Sequence, residues 1–169
     1  MSPYSENDTI AALATAHGPA ALAIIRVSGP DALPICAALF AGRRRINLKR
    51  ADRYHGMLVE PEVGCSEAGE VYDEVILHTY PAPHSFTGED MAEINCHGGL
   101  LVVERLLGLL LRRGARLAAP GEFSKRAFLN GKLDLLQAEA VADIIAAPSR
   151  RALALSLAQL HGDISLKIN

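Results

Sequence analysis

Cysteine is scarce in this 169-residue chain: Cys36, Cys65 and Cys96 are odd in number and widely spaced, which excludes a disulfide framework and a C-x-x-C metal knuckle. They are read as reduced thiols. An excess of one charge is also missing. Seventeen basic side chains against nineteen acidic ones give a net charge of −2, so there is no global positive field of the kind that attracts nucleic acid, and any such contact must be local. No apolar run is long enough to span a bilayer: the longest, Leu100 to Leu111, is interrupted by Glu104 and Arg105. The opening MSPYSEND has neither a basic start nor an apolar stretch, so it is not a secretory signal, and the expected location is the cytosol. No internal repeat or low-complexity segment occurs. Finally, no string fits G-x-x-x-x-G-K-[ST], the loop whose glycine amides cradle phosphates; Arg126 and Leu133 spoil the nearest candidate around Leu129-Asn-Gly-Lys132. NGKLD has one residue too many for a guanine-specificity motif.

What is present is a globular composition, 50% hydrophobic, sufficient for one good core. Asp8 to Thr15 and Leu22 to Ser28 read as neighbouring strands separated by His17-Gly18-Pro19. In LAIIRVS, alternation places Arg26 on the face opposite Ile25 and Val27. Asp31 reads as a helix N-cap with Pro34 in the first turn, and the helix is expected to reach about Phe40. Arg43 to Arg53 carries six basic residues in eleven. YHGMLVE and VYDEVILHTY then read as a hairpin closed by a loop over Gly64 to Gly69, with Pro81 and Pro83 ending the second strand. SFTGED is a polar loop, MAEINCH a short strand, and Leu100 to Arg113 a helix with Glu104, Gly108 and Arg112 on one stripe and Gly114 as its stop. ARLAA completes the strands.

After Pro120 the signal is helical throughout, which sets an expected boundary: residues 1–120 as one domain and 121–169 as the opening of a helical one. The last segment repeats Leu153, Leu157, Leu160, Ile164 and Ile168 as an apolar stripe with nothing downstream to cover it. A terminal helix from Arg150 to Asn169 that is poorly anchored or borrowed by a neighbouring molecule, and a truncated chain, are the expectation. The fold class is α+β, a mixed sheet with packed helices.

Three charges stand beside apolar sequence: Arg26, Glu93 and Lys132. Singly, each fits a surface charge or half of an ion pair. Jointly they suit an anionic heterocycle, because a carboxylate accepts two parallel hydrogen bonds from a ring N–H and an adjacent amine while a cation neutralises an acidic tail. Cys96-His97 offers thiolate and imidazole, but adjacent strand residues point to opposite faces, so a structural role is expected, with Gly98-Gly99 permitting a tight turn into the next helix. The Arg43 to Arg53 cluster reads as a solvated face or as a phosphate contact.

DTIAALAT, AIIRVSGP, SFTGED, EINCHGG and PGEFSKRAFLNGKLDLLQAEAVADII stand in the order found in the N-terminal part of the tRNA-modifying GTPases of the MnmE/TrmE family, and the chain resembles that part over most of Asp8 to Ile145. The resemblance implies a fold similar to the folate-binding module of aminomethyltransferases, a homodimer, and a bound 5-formyl- or 5,10-methylene-tetrahydrofolate contacted by Arg26, Glu93 and Lys132. No catalytic residue is carried over. For the full-length protein it implies GTP hydrolysis with Mg²⁺ and K⁺ in a separate domain. With the flavoprotein MnmG, that protein would install an aminomethyl-type group at C5 of the wobble uridine of tRNA. This fragment alone would lack GTPase activity. A stand-alone folate-dependent one-carbon transferase and a pure dimerisation scaffold remain as alternatives. Where the family commonly reads PPGRGG, this chain reads AHGPAA over residues 16–21, so a differently shaped loop is expected before Arg26.

Overall fold

A computed structural model describes residues 8–60 and 69–161. Cys65, most of the expected 64–69 loop, and Ile164 and Ile168 of the terminal stripe lie outside them. The chain divides into two compact units. The first comprises the described residues up to Ser85 together with Glu89–Ala118; the second joins Phe86–Gly88 to the residues from Ala119 onward.

The first unit is a seven-stranded sheet backed by two helices, in line with the expected α+β class. Its elements are β1 (Ile10–Leu13), β2 (Leu22–Ser28), α1 (Ala32–Leu39), β3 (Phe40–Gly42), β4 (Asp52–Glu60), β5 (Glu70–Tyr80), β6 (Met91–His97), α2 (Leu100–Arg112) and β7 (Arg116–Leu117). Strand order is β3-β4-β5-β6-β2-β1-β7, antiparallel at every step except β1 with β7. Period-two alternation sends Ile25 and Val27 of β2, Leu77 of β5 and Ile94 of β6 into one fully buried core with Leu33 and Leu39 of α1 and Leu106 and Leu109 of α2. Both helices therefore cover the same sheet face, and the odd and even strand positions acquire opposite fates.

The two-strand reading of the N-terminus, the β4–β5 hairpin and the strand MAEINCH all hold. Asp31 occupies the N-cap position of α1, but its side chain makes no cap bond; its own amide instead donates to Thr9 Oγ1 at 2.9 Å. On α2, Glu104 and Arg112 are exposed as expected, and Gly114 follows the helix at a φ of 105°, a conformation that favours glycine.

The second unit holds α3 (Glu122–Leu129), α4 (Leu135–Ala146) and α5 (Arg150–Leu160). A capping box starts α4: Asp134 accepts from the Gln137 amide at 2.8 Å, and the Gln137 side chain accepts from the Asp134 amide at 2.9 Å. Here the expectation of a poorly anchored final helix is corrected for its described residues, Arg150–Leu160. Gln137 Nε2 donates to the Leu160 carbonyl and Gln159 Nε2 to the Leu136 carbonyl, at 2.9 and 2.8 Å, which fastens α4 and α5 as an antiparallel pair within the chain. The reason is side-chain size. Ala140 and Ser156 are buried and let the helices approach, whereas Leu153 and Leu157 of the expected stripe stay 37% and 38% exposed.

Among the described residues no helix is long and apolar enough to cross a membrane.

Candidate functional site

Because Ile25, Val27, Ala92 and Ile94 are all buried in the core, alternation turns Arg26 and Glu93 onto the sheet face opposite α1 and α2. The β2–β6 register makes them direct partners. Arg26 Nη2 and Nε both donate to Glu93 Oε1, at 2.6 and 2.9 Å, and the side chains remain 25% and 19% exposed. Two of the three predicted site residues thus form one half-buried pair, each the other's ion partner. A cross-strand pair of this kind contributes roughly 0.2–1 kcal/mol to the sheet.

On the other flank of Glu93, β5 contributes His78, its register partner, and Tyr80. The Tyr80 hydroxyl lies 3.5 Å from Glu93 Oε2 and 3.5 Å from His78 Nδ1. Burial, then the charge of Glu93, raises the Tyr80 pKa above the ordinary phenol value, so the hydroxyl keeps its proton and can only strengthen its role as donor to the carboxylate. Two residues along β6, Asn95 faces the same way, and its buried Oδ1 has no hydrogen-bond partner among the described residues. Next to it lies a concavity of about 410 Å³ whose lining includes Leu22, Ile24, Ile76, Asn95 and His97. Acceptors from Glu93 and Asn95 beside apolar Ile24 and Ile76 suit a flat ligand with a polar, donor-bearing edge.

Lys132 belongs to the second unit. Its amide donates to the Ala127 carbonyl at 2.8 Å, closing the turn after α3, and its side chain is exposed. Within that unit Asn130 Nδ2 donates to the Thr87 carbonyl at 2.8 Å. Gly88, at a φ of 80°, lies so close that a Cβ there would come within 3.1 Å of Lys132 Cγ. Phe86–Gly88 are in this way tied to the turn that carries Lys132. At the start of α3, Glu122 and Arg126 form a buried pair at 3.2 Å, and Glu122 also accepts from the Ala119 amide at 2.8 Å.

Cys96 and His97 point to opposite faces, as strand alternation predicts. Cys96 is buried with its thiol toward the Ala23 carbonyl, and burial pushes its pKa up to about 11; Cys36, wholly enclosed, is pushed up to about 12. Neither is a thiolate near neutrality. No cluster of metal-ligating side chains occurs among the described residues. Gly98 exchanges backbone hydrogen bonds with Ala20 and Ala21 of the altered 16–21 loop, and a Cβ on Gly98 would meet the Ala20 carbonyl oxygen at 2.4 Å.

His97 points outward and its Nδ1 lies 2.7 Å from Asp73 Oδ1, while its amide donates to Asp73 Oδ2. The hydrogen bond to Asp73, then that carboxylate's charge, raises the imidazole pKa above its ordinary value. A folded-state pKa raised in this way makes the contribution of the pair complete below the unfolded histidine pKa of about 6.5 and lost as pH climbs through the folded value. An NMR titration of His97 is expected to show a midpoint above that of a free histidine, returning to it in Asp73→Asn. An unshifted wild-type midpoint would contradict the contact.

His78, Tyr80 and Asn95 were not singled out in the sequence. Their alternation with buried neighbours in ILHTY and AEINC carried the face, but only the register brings them to Glu93.

A family model described as the N-terminus of the GTP-binding protein TrmE matches residues 9–132. The chain is 48% identical over 161 residues to the tRNA modification GTPase MnmE of Bacillus licheniformis, covering 94% of this chain and 34% of that protein. It is 50% identical over 166 residues to the protein of the same description from Moorella thermoacetica, with 96% and 35% covered. Against that of Streptococcus agalactiae it is 45% identical over 169 residues, with 100% and 36% covered. It thus spans about a third of the length of these curated relatives.

Proposed function

This chain belongs to the TrmE N-terminal family, and from that premise we propose that it is the folate-binding, dimerising part of a GTPase that modifies tRNA. Residues 1–120 form the folate-binding domain and 121–169 open the helical one. The ligand is a 5-formyl- or 5,10-methylene-tetrahydrofolate. Glu93 orients the pterin edge, and Arg26 and Lys132 hold its polar or anionic parts. The folate supplies a one-carbon unit. The whole protein, cytoplasmic and homodimeric, hydrolyses GTP with Mg²⁺ and K⁺ in a region outside this chain. With the flavoprotein MnmG it builds the aminomethyl-type group at C5 of the wobble uridine.

The observation that carries this reading is the Arg26–Glu93 pair. Arg26 engages Oε1 of the carboxylate twice, whereas Oε2 meets Tyr80 only at the long limit of a hydrogen bond, so the carboxylate keeps acceptor capacity toward a ligand. The unpartnered Asn95 Oδ1 and the adjoining apolar concavity fit the same heterocycle. Calorimetry with 5-formyltetrahydrofolate tests the reading: saturable one-site binding is expected, and no heat at high micromolar ligand would favour the scaffold alternative.

The same reading expects this chain not to bind GTP, because no phosphate-cradling string occurs in its sequence. Equilibrium dialysis with labelled GTP checks this, and a micromolar dissociation constant would overturn it.

A further inference from the structure

We propose that the loop between β3 and β4 is a docking surface for the phosphate backbone of RNA. The inference rests on the tRNA part of the function above but adds a contact surface remote in sequence from the folate residues. Arg43 to Arg53 holds six cations and one carboxylate, a local charge of +5 in a chain whose total is −2, so all other residues sum to −7. A polyanion approaching this molecule is repelled by most of it and drawn to one loop.

The loop is displayed from a fixed frame. At its start, Gly42 and Gly56 pair across β3 and β4, and a Cβ on Gly42 would meet the Phe40 ring at 2.4 Å, so these glycines allow that ring to lie over the strands. Ile46 packs against the core cluster, the Asn47 amide donates to the Tyr54 hydroxyl at 2.9 Å, and the Lys49 amide donates to Asn47 Oδ1 at 2.9 Å. Thr79 Oγ1 reaches the Arg50 carbonyl at 3.3 Å. Backbone and apolar side chain are thereby held inward while all six cationic side chains are exposed.

Arg44 is committed locally: it lies 3.5 Å from Asp52, donates to the Arg53 carbonyl at 3.1 Å and stands 5.2 Å over the Tyr54 ring, and the charge of Arg50 also acts on Asp52. Among the described residues Arg43, Arg45, Lys49 and Arg53 have no carboxylate within ion-pair distance. Holding several like charges on a tethered loop is unfavourable by itself, and closely spaced phosphates relieve it. Two shallow hollows of about 470 and 450 Å³ are both lined by Phe40 and Arg44, giving the backbone of a nucleic acid room to seat.

The test titrates the full chain into a fluorescently labelled, unmodified tRNA transcript by anisotropy over a range of salt. Binding is expected to weaken with salt with a log–log slope of roughly −2 to −3, about three phosphates. Arg43→Glu, Arg45→Glu and Lys49→Glu combined should weaken it at least tenfold and flatten the slope by roughly two. The corresponding triple glutamine variant should show a smaller loss in the same direction. Arg150→Glu with Arg151→Glu, equally cationic sites of the second unit, should leave binding unchanged. Unchanged affinity in both triple variants, or an equal loss in the Arg150/Arg151 variant, overturns the proposal. So does binding to vesicles of phosphatidylcholine and phosphatidylglycerol without binding to the transcript. Folate calorimetry on the triple variants should match wild type, so a failed folate site and a failed RNA surface are read separately.

Discussion

Replacing Glu93 with glutamine is expected to weaken 5-formyltetrahydrofolate binding by about 2–4 kcal/mol, roughly thirty- to a thousand-fold. The amide keeps the shape of the carboxylate but turns one acceptor into a donor that would face a ring donor. A charge-assisted pair is lost, and one donor in a half-buried site goes unsatisfied. The substitution also removes the charge that Arg26 meets at 2.6 Å, so stability must be measured alongside. With both side chains only about a fifth to a quarter exposed, removing one charge costs more than it would in a surface pair, so affinity is compared only after the urea midpoint shows the variant folded. Arg26→Ala should weaken binding too, with a stronger salt dependence if it meets a partly exposed ligand carboxylate. Equal affinities for wild type and Glu93→Gln, with unaltered circular dichroism, would rule out the pterin site while leaving family membership intact.

The second large effect concerns the turn that launches α1 from the centre of the sheet. Gly29 has a φ of 129°, and a Cβ there would stand 2.6 Å from the Asp8 carbonyl oxygen and 2.7 Å from Thr9 Cα. Both obstacles are backbone. The same short stretch already supplies Thr9 Oγ1 to the Asp31 amide and the Asp8 carboxylate to Arg116 at 2.6 Å, so it has little freedom to retreat. Strain and overpacking each cost about 1–3 kcal/mol, and Gly29→Ala is expected to lose about 2–5 kcal/mol of stability in all. Against a typical total of about 5–15 kcal/mol this is a large fraction. Gly108→Ala provides the opposite sign in the same chain: it lies inside α2, its Cβ would meet nothing nearer than Arg112 Nη1 at 3.5 Å, and it should gain about 0.5–1 kcal/mol. Urea midpoints of the two variants decide the matter. A Gly29→Ala midpoint equal to wild type would mean that the Asp8–Thr9 backbone yields, and the steric account would fail.

Much of the fold could be read locally. Alternation in LAIIRVS and MAEINCH separated Arg26 and Glu93 from their buried neighbours, and Pro81, Gly114 and the Asp134-Leu-Leu-Gln137 cap sit where elements end or begin. Other features escaped because they depend on size rather than polarity. The leucine periodicity of the last helix pointed to Leu153 and Leu157, yet α5 packs through Ser156 against a helix whose buried position is Ala140. Hydrophobic pattern marks what can be buried; close approach is set by what is small.

Sequence by itself determined the family, the α+β class, and the face of each strand on which each charge lies, since strand period, breakers and motif order are properties of neighbouring residues. Tertiary structure alone decided that Arg26 and Glu93, 67 positions apart, are direct partners, that His78, Tyr80 and Asn95 join them, and that residues 86–88 belong with the helices after Ala119. Register is the reason. A shift of two residues in β2 against β6 would keep every side chain on its face, yet would part Arg26 from Glu93, and only hydrogen bonds and core packing between distant segments choose among such alternatives.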